Sequence, residues 1–122
     1  MDDCIFCKIA KKIVPADIVY EDDKTMVFMD ANPKCDGHML IIPKDHYPTV
    51  FDIDKDTLKH MYEVAEIMLD KMEKVSGKHG GTFSFNSGYM QEVMHAHMHV
   101  MPCFRKKAVQ NSHEVYKKIM ED

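Results

Sequence analysis

Apolar and polar positions along this chain follow two different periods. Leu58, Met61, Tyr62, Ala65, Met68, Leu69 and Met72 recur every three or four residues. That spacing makes the apolar stripe of a helix which buries one face. Asp54 or Asp56 can cap its start, and Ser76 with Gly77 ends it. Lys59 with Glu63 and Asp70 with Lys74 stand four apart on the wet side. The other apolar runs are short and punctuated. They predict strands over residues 17–20, 25–30, 38–43, 82–87 and 93–101, with a four-residue hairpin loop at 21–24 and loops at 32–37 and 88–91. Residues 4–12 read as a short helix or turn cut off by Val14 and Pro15, and residues 112–120 as a short terminal helix. Pro102 stops the last strand. Strands, one long helix, then strands predict an α+β domain: a mainly antiparallel five-stranded sheet with the long helix on one face.

Within the last strand, His95, His97 and His99 alternate with Ala96, Met98 and Val100. Successive strand side chains point to opposite faces. The three imidazoles therefore share one face, and the apolar residues share the other. An imidazole titrates near neutral pH and can act as nucleophile, proton donor or metal ligand. Two histidines at this spacing plus a distant third also fit a zinc site. The spacing alone leaves catalysis and metal binding both open.

Composition narrows the setting. The chain has 122 residues, enough for a single domain spanning 1–122, and 45% of them are hydrophobic. Twelve methionines supply an adaptable core rather than a cofactor box. A formal charge of −4 argues against a surface that coats nucleic acid. No apolar run approaches membrane-spanning length, and the start has no basic and apolar leader pattern, so a cytoplasmic protein is expected. In that setting the four cysteines are thiols or metal ligands. Cys4 and Cys7 have the spacing of half a tetrahedral site. Cys35 and Cys103 read as isolated small apolar or surface residues.

The run from His95 to Met101, with apolar residues between its histidines, resembles the signature of the histidine triad family of nucleotide hydrolases and transferases. Cys4, Ile5, Phe6, Cys7, Lys8 and Ile9 are similar to the opening of bacterial-type members. Val19, Tyr20, Glu21, Asp22 and Asp23, then Val27, Phe28, Met29 and Asp30, then Asn32 and Pro33, look like the family's first hairpin. The block from Gly37 to His46 also matches, as do Asn86 and the approach from Gln91 to His95. The resemblance covers residues 4–104; the tail from 105 matches no block.

The resemblance implies a homodimer with a continuous sheet and a purine nucleotide substrate. It implies that His97 attacks the α-phosphorus, forming a nucleotidyl-histidine that water hydrolyses. His99 would stabilise the phosphate charge, and His38 would line the same site. Asp30 would bind the ribose hydroxyls, with Ala31 beside it. Phe6, Ile9 and Phe28 would sandwich the base, and Asn86 and Gln91 would approach the α-phosphate. Glu92 stands where some members carry a serine linked to leaving-group protonation, and Met90 where many carry glycine. A histidine rather than glutamine at 99 favours a hydrolase, and the short length with the Cys4 and Cys7 pair favours the phosphoramidase-like branch. A dinucleoside polyphosphate hydrolase and a nucleotide-binding regulator with negligible turnover are the alternatives. Some bacterial-type relatives join such a cysteine pair to histidines at the positions of His46 and His95. Here that implies a structural zinc on Cys4, Cys7, His46 and His95, with no catalytic metal.

Overall fold

The computed structural model of the protein describes residues 3–104 and 110–121. Helix α1 (Ile5–Ala10) is followed by strands β1 (Ile18–Glu21), β2 (Thr25–Met29) and β3 (Met39–Pro43). The long helix α2 (Lys55–Ser76) then precedes β4 (Thr82–Phe85), β5 (Met98–Met101) and a terminal helix α3 (Ser112–Met120). The strands form one antiparallel sheet in the order β1-β2-β3-β5-β4.

Local chemistry explains the ends of α2. Asp54 is the N-cap, and its carboxylate accepts the Thr57 amide N–H at 3.0 Å. Gly77 closes the helix at φ 76°, a left-handed turn that favours glycine. Of the expected stripe, Met61, Ala65, Met68, Leu69 and Met72 are buried, and Val64 joins them. Tyr62 departs from it. It lies on the helix flank, 46% exposed, edge-on to Phe83 of β4 at 5.8 Å.

β2 and β3 are buried on both faces. Val27, Met29, Met39 and Ile41 pack with α2, together with Ala96, Met98 and Val100. Met26, Phe28, Leu40 and Ile42 pack on the other face against Phe6 and Ile9 of α1. This alternation leaves the histidines of β5 on the α1 face, as their period requires.

Two expectations are corrected. The histidine strand is ordered as β5 only from Met98 to Met101, not from residue 93. The ladder pairs Ile41 with Met98, so its next rung meets Pro43, which has no N–H to donate. The released segment turns to other partners: the Ala96 amide donates to the Tyr47 carbonyl at 2.7 Å, and His95 bonds the Pro43 carbonyl. Cys35 and Cys103 are not isolated; they form a disulfide. The sheet order sets the loop before β3 against the end of β5, which joins residues 68 apart in sequence. The basic run Arg105, Lys106 and Lys107 of the unmatched tail lies outside the described residues. Among the described residues, no helix is long and apolar enough to cross a membrane.

Candidate active site

Four strand ends meet above α1. His97 immediately precedes β5 and His99 lies within it, β3 follows His38, β2 runs into Asp30, and β1 starts after Asp17. Between them lies a cleft of about 530 Å³. Phe6, Ile9, Phe28, Asp30, Ala31, Glu92, His97 and His99 all line it. Phe6 and Phe28 meet edge to face at 5.4 Å and form its apolar wall.

Two backbone groups, and a side-chain relay from one of them, set the tautomers of three histidines. The Lys34 amide N–H donates to His38 Nδ1 at 3.1 Å. Burial first, and the nearby positive groups after it, lower the His38 pKa against the pull of Asp30, so the ring is neutral. A neutral ring that accepts at Nδ1 carries its proton on Nε2. That Nε2–H faces His99 Nδ1 at 3.0 Å and Asp30 Oδ2 at 3.4 Å. His99 therefore accepts at Nδ1 and holds its own proton on Nε2. Burial, then the electrostatic cost of a positive charge beside the His97 and His38 rings, holds the His99 pKa down to about 4. His97 is fixed the opposite way. Its Nδ1 lies 2.8 Å from the His95 carbonyl, which can only accept. Nδ1 is thus protonated, and Nε2 keeps a free lone pair.

The same reasoning separates two clusters with metal-ligand chemistry. Asp30, His38 and His99 bring donor atoms together, but His38 Nε2 bears the proton that Lys34 leaves it. This cluster shares protons and does not offer three free lone pairs. At the second cluster, His95 Nε2 donates to the Pro43 carbonyl at 2.9 Å and frees Nδ1. That Nδ1 lies 3.3 Å from Cys4 Sγ and 3.4 Å from Cys7 Sγ. His46 Nδ1 is 3.3 Å from Cys7 Sγ, and all four donor atoms fall within 4.8 Å of one another. A tetrahedral zinc with bonds of about 2.3 Å to sulfur and 2.0–2.1 Å to nitrogen has S–N edges of about 3.5 Å. The donors sit at nearly that spacing. Burial, then the neighbouring Cys4, raises the Cys7 thiol pKa.

Other residues lie outside the cleft lining. Gln91 is engaged elsewhere: its Oε1 accepts from the Gly88 amide, and its Nε2 donates to the Pro48 and Val93 carbonyls. Asn86 follows β4 and does not line the cleft; neither does Met90, which is 54% exposed. Asp17, Val93 and Ser112 line it and were not legible as site residues. Ser112 comes from α3, and only folding brings that segment to the cleft, where its hydroxyl donates to the Asp30 carbonyl.

A strand-borne histidine cluster with fixed tautomers, facing an apolar cleft, defines a small-ligand site equipped for nucleophilic chemistry. The comparisons agree with this class. The model of the HIT domain matches residues 11–119, and the chain belongs to the HIT (histidine triad) family. Protein HitA of Neisseria gonorrhoeae is 40% identical over 111 residues, covering 83% of this chain and 96% of that protein. Adenylylsulfatase HINT3 of Arabidopsis thaliana is 34% identical, covering 83% of this chain but 52% of its own length. A Zn-bound histidine triad family protein from Mycobacterium smegmatis superposes with a TM-score of 0.87 at 26% identity, covering 97% and 91% of the two chains.

Proposed function

We propose that this protein hydrolyses nucleotides, cleaving the α-phosphate bond of purine nucleoside phosphoramidates through a covalent intermediate on His97. The observation that carries this reading is the tautomer of His97. Its Nδ1–H is committed to the His95 carbonyl, so the Nε2 lone pair needs no proton removed before it attacks. In the first step His97 Nε2 bonds to phosphorus and the P–N bond breaks. The amine leaves with a proton drawn from solvent at the open rim. In the second step water bonds to phosphorus and gives up a proton to solvent, the N–P bond breaks with its electron pair returning to Nε2, and the monophosphate is released. The Nε2–H of His99 donates to a phosphoryl oxygen throughout, and His38 holds His99 in that tautomer. Asp30 binds the ribose. The adenylylsulfatase relative also supports cleavage at a nucleotidyl phosphate.

A zinc on Cys4, Cys7, His46 and His95 has a structural part in this reading. It fixes His95, whose carbonyl orients the nucleophile, and no catalytic metal is required. β4 is an edge strand, with Phe83 47% exposed and Tyr62 of α2, 46% exposed, against it. This unpaired edge supports a homodimer, which sedimentation would test. A cytoplasmic location fits unoxidised Cys4 and Cys7 but not the Cys35–Cys103 disulfide, so cysteine redox state does not decide the compartment. Incubation with a guanosine or adenosine 5′-phosphoramidate tests the mechanism. Turnover, and a mass gain of one nucleotidyl group on rapid quenching without acid, are expected; His97→Ala should lose both and still bind nucleotide. Near-normal turnover by that variant would overturn the mechanism. Much faster cleavage of dinucleoside polyphosphates would support the related polyphosphate hydrolase activity instead.

A further inference from the structure

The far end of the cleft, away from the histidines, has a chemistry of its own. β5, β3, β2 and β1 are successive neighbours, and strands lie about 4.8 Å apart, so about 14 Å separates His99's strand from the start of β1. A nucleoside monophosphate laid across the strands, from phosphorus to the far edge of its base, covers most of that span. With phosphate at His97 and His99 and ribose at Asp30, the base rests on Phe6, Ile9 and Phe28. Its outer edge then reaches Pro15, Ala16, Asp17 and Ser112.

The polar groups at this end accept hydrogen bonds. Asp17 Oδ2 lies 3.0 Å from His113 Nδ1 on α3, and its carboxylate is one-third exposed (33%). Its Oδ1 is turned to no partner among the described residues. The Ser112 hydroxyl spends its proton on the Asp30 carbonyl, so it presents only lone pairs. Asn32 can donate or accept and does not discriminate. Guanine offers two donors on one edge, its N1–H and its 2-amino group. Adenine sets a lone pair at N1, has no 2-amino group, and carries its one amino donor at C6, on the other side of N1. An acceptor facing that lone pair is repelled.

We propose that Asp17, with Ser112 beside it, reads the base and selects guanine over adenine, and that His113 positions the Asp17 carboxylate. This rests on the reading of the cleft as a nucleotide site. It gives α3 a part in recognition, although α3 lies beyond the segment in which the family resemblance was legible. A hydrogen bond to a charged group at a partly wet rim discriminates by about tenfold.

Equilibrium binding of GMP and AMP to the full chain, by calorimetry, tests it without relying on turnover. GMP should bind about tenfold tighter than AMP. Asp17→Asn should lower GMP affinity about tenfold and move AMP by less than twofold, bringing the two together. His113→Ala, which leaves Asp17 in place but unheld, should lose part of the preference. Equal affinities in the wild type, or an unchanged ratio in Asp17→Asn, would overturn the proposal. Discrimination without turnover would sink the hydrolase reading and leave this one standing; turnover without discrimination would do the reverse.

Discussion

Removing the proposed zinc should loosen the whole domain as well as the N-terminal segment. The four donors come from α1 and its N-cap Cys4, the loop after β3 and the approach to β5. The Cys7 and His46 pair alone closes a loop of 39 residues. The chain-entropy relation gives about 4 kcal/mol for closing such a loop. Binding linkage gives a similar figure, about 4 kcal/mol, for free zinc at a thousand times its dissociation constant. At about 2.1 cal/mol/K per residue over 122 residues, 4 kcal/mol corresponds to roughly 15 °C in Tm. The assay is a thermal melt of untagged protein, metal-replete and then stripped with a non-thiol chelator, alongside elemental analysis. Cys7→Ser should melt near the stripped protein and fail to recover on adding zinc. Refutation would be a stripped protein melting within about 3 °C of the replete one, or less than about half an equivalent of zinc per chain.

Asp22 accepts from Tyr20, the Lys24 and Thr25 amides, the Thr25 hydroxyl and His60, pinning the β1–β2 turn to α2. Burial opposes ionisation there, but the hydrogen bonds led by His60 outweigh it and hold the carboxyl well below its usual range. Asp22→Ala should cost about 2–4 kcal/mol in urea unfolding, and a loss below 1 kcal/mol would refute this. A Cβ on Gly81 would lie 2.7 Å from both the Met101 carbonyl oxygen and Pro102 Cα, so Gly81→Ala should cost about 2 kcal/mol. An unchanged denaturation midpoint would show that the β4–β5 junction is not that tight. His38 and His99 are held neutral in the fold, while their unfolded forms take up protons below about pH 6.5. Their contribution is thus complete above pH 6.5 and is lost as pH falls towards 4. Burial is the main cause of these shifts, with Lys34, His97 and, for His99, His38 adding to it and Asp30 opposing it. His99→Gln should flatten the stability profile across that window, and an unaltered slope would contradict the assignment.

Local patterning determined much of this protein. The period-two histidines, the α2 stripe with its Asp54 cap and Gly77 stop, and the hairpin turn at 21–24 are local signals. Each depends on residues a few positions apart, and each was legible in order. Strand order was not, and it decided what the local signals could not. It carried Cys35 to Cys103, because the loop before β3 lies over the end of β5. It set Pro43 opposite the histidine strand, ending the ladder and freeing His95 to turn its Nδ1 towards Cys4 and Cys7. It also brought Asp17 and Ser112 to one end of a cleft whose other end carries His97. The motif named the histidines, but their protonation came from contacts distant in sequence or through the backbone. Lys34 sets His38, His38 sets His99, and the carbonyl of His95 sets His97. Residue spacing encodes which face a side chain takes. Only the packed fold encodes which nitrogen keeps its proton, because that is fixed by whichever donor or carbonyl the tertiary structure places beside it.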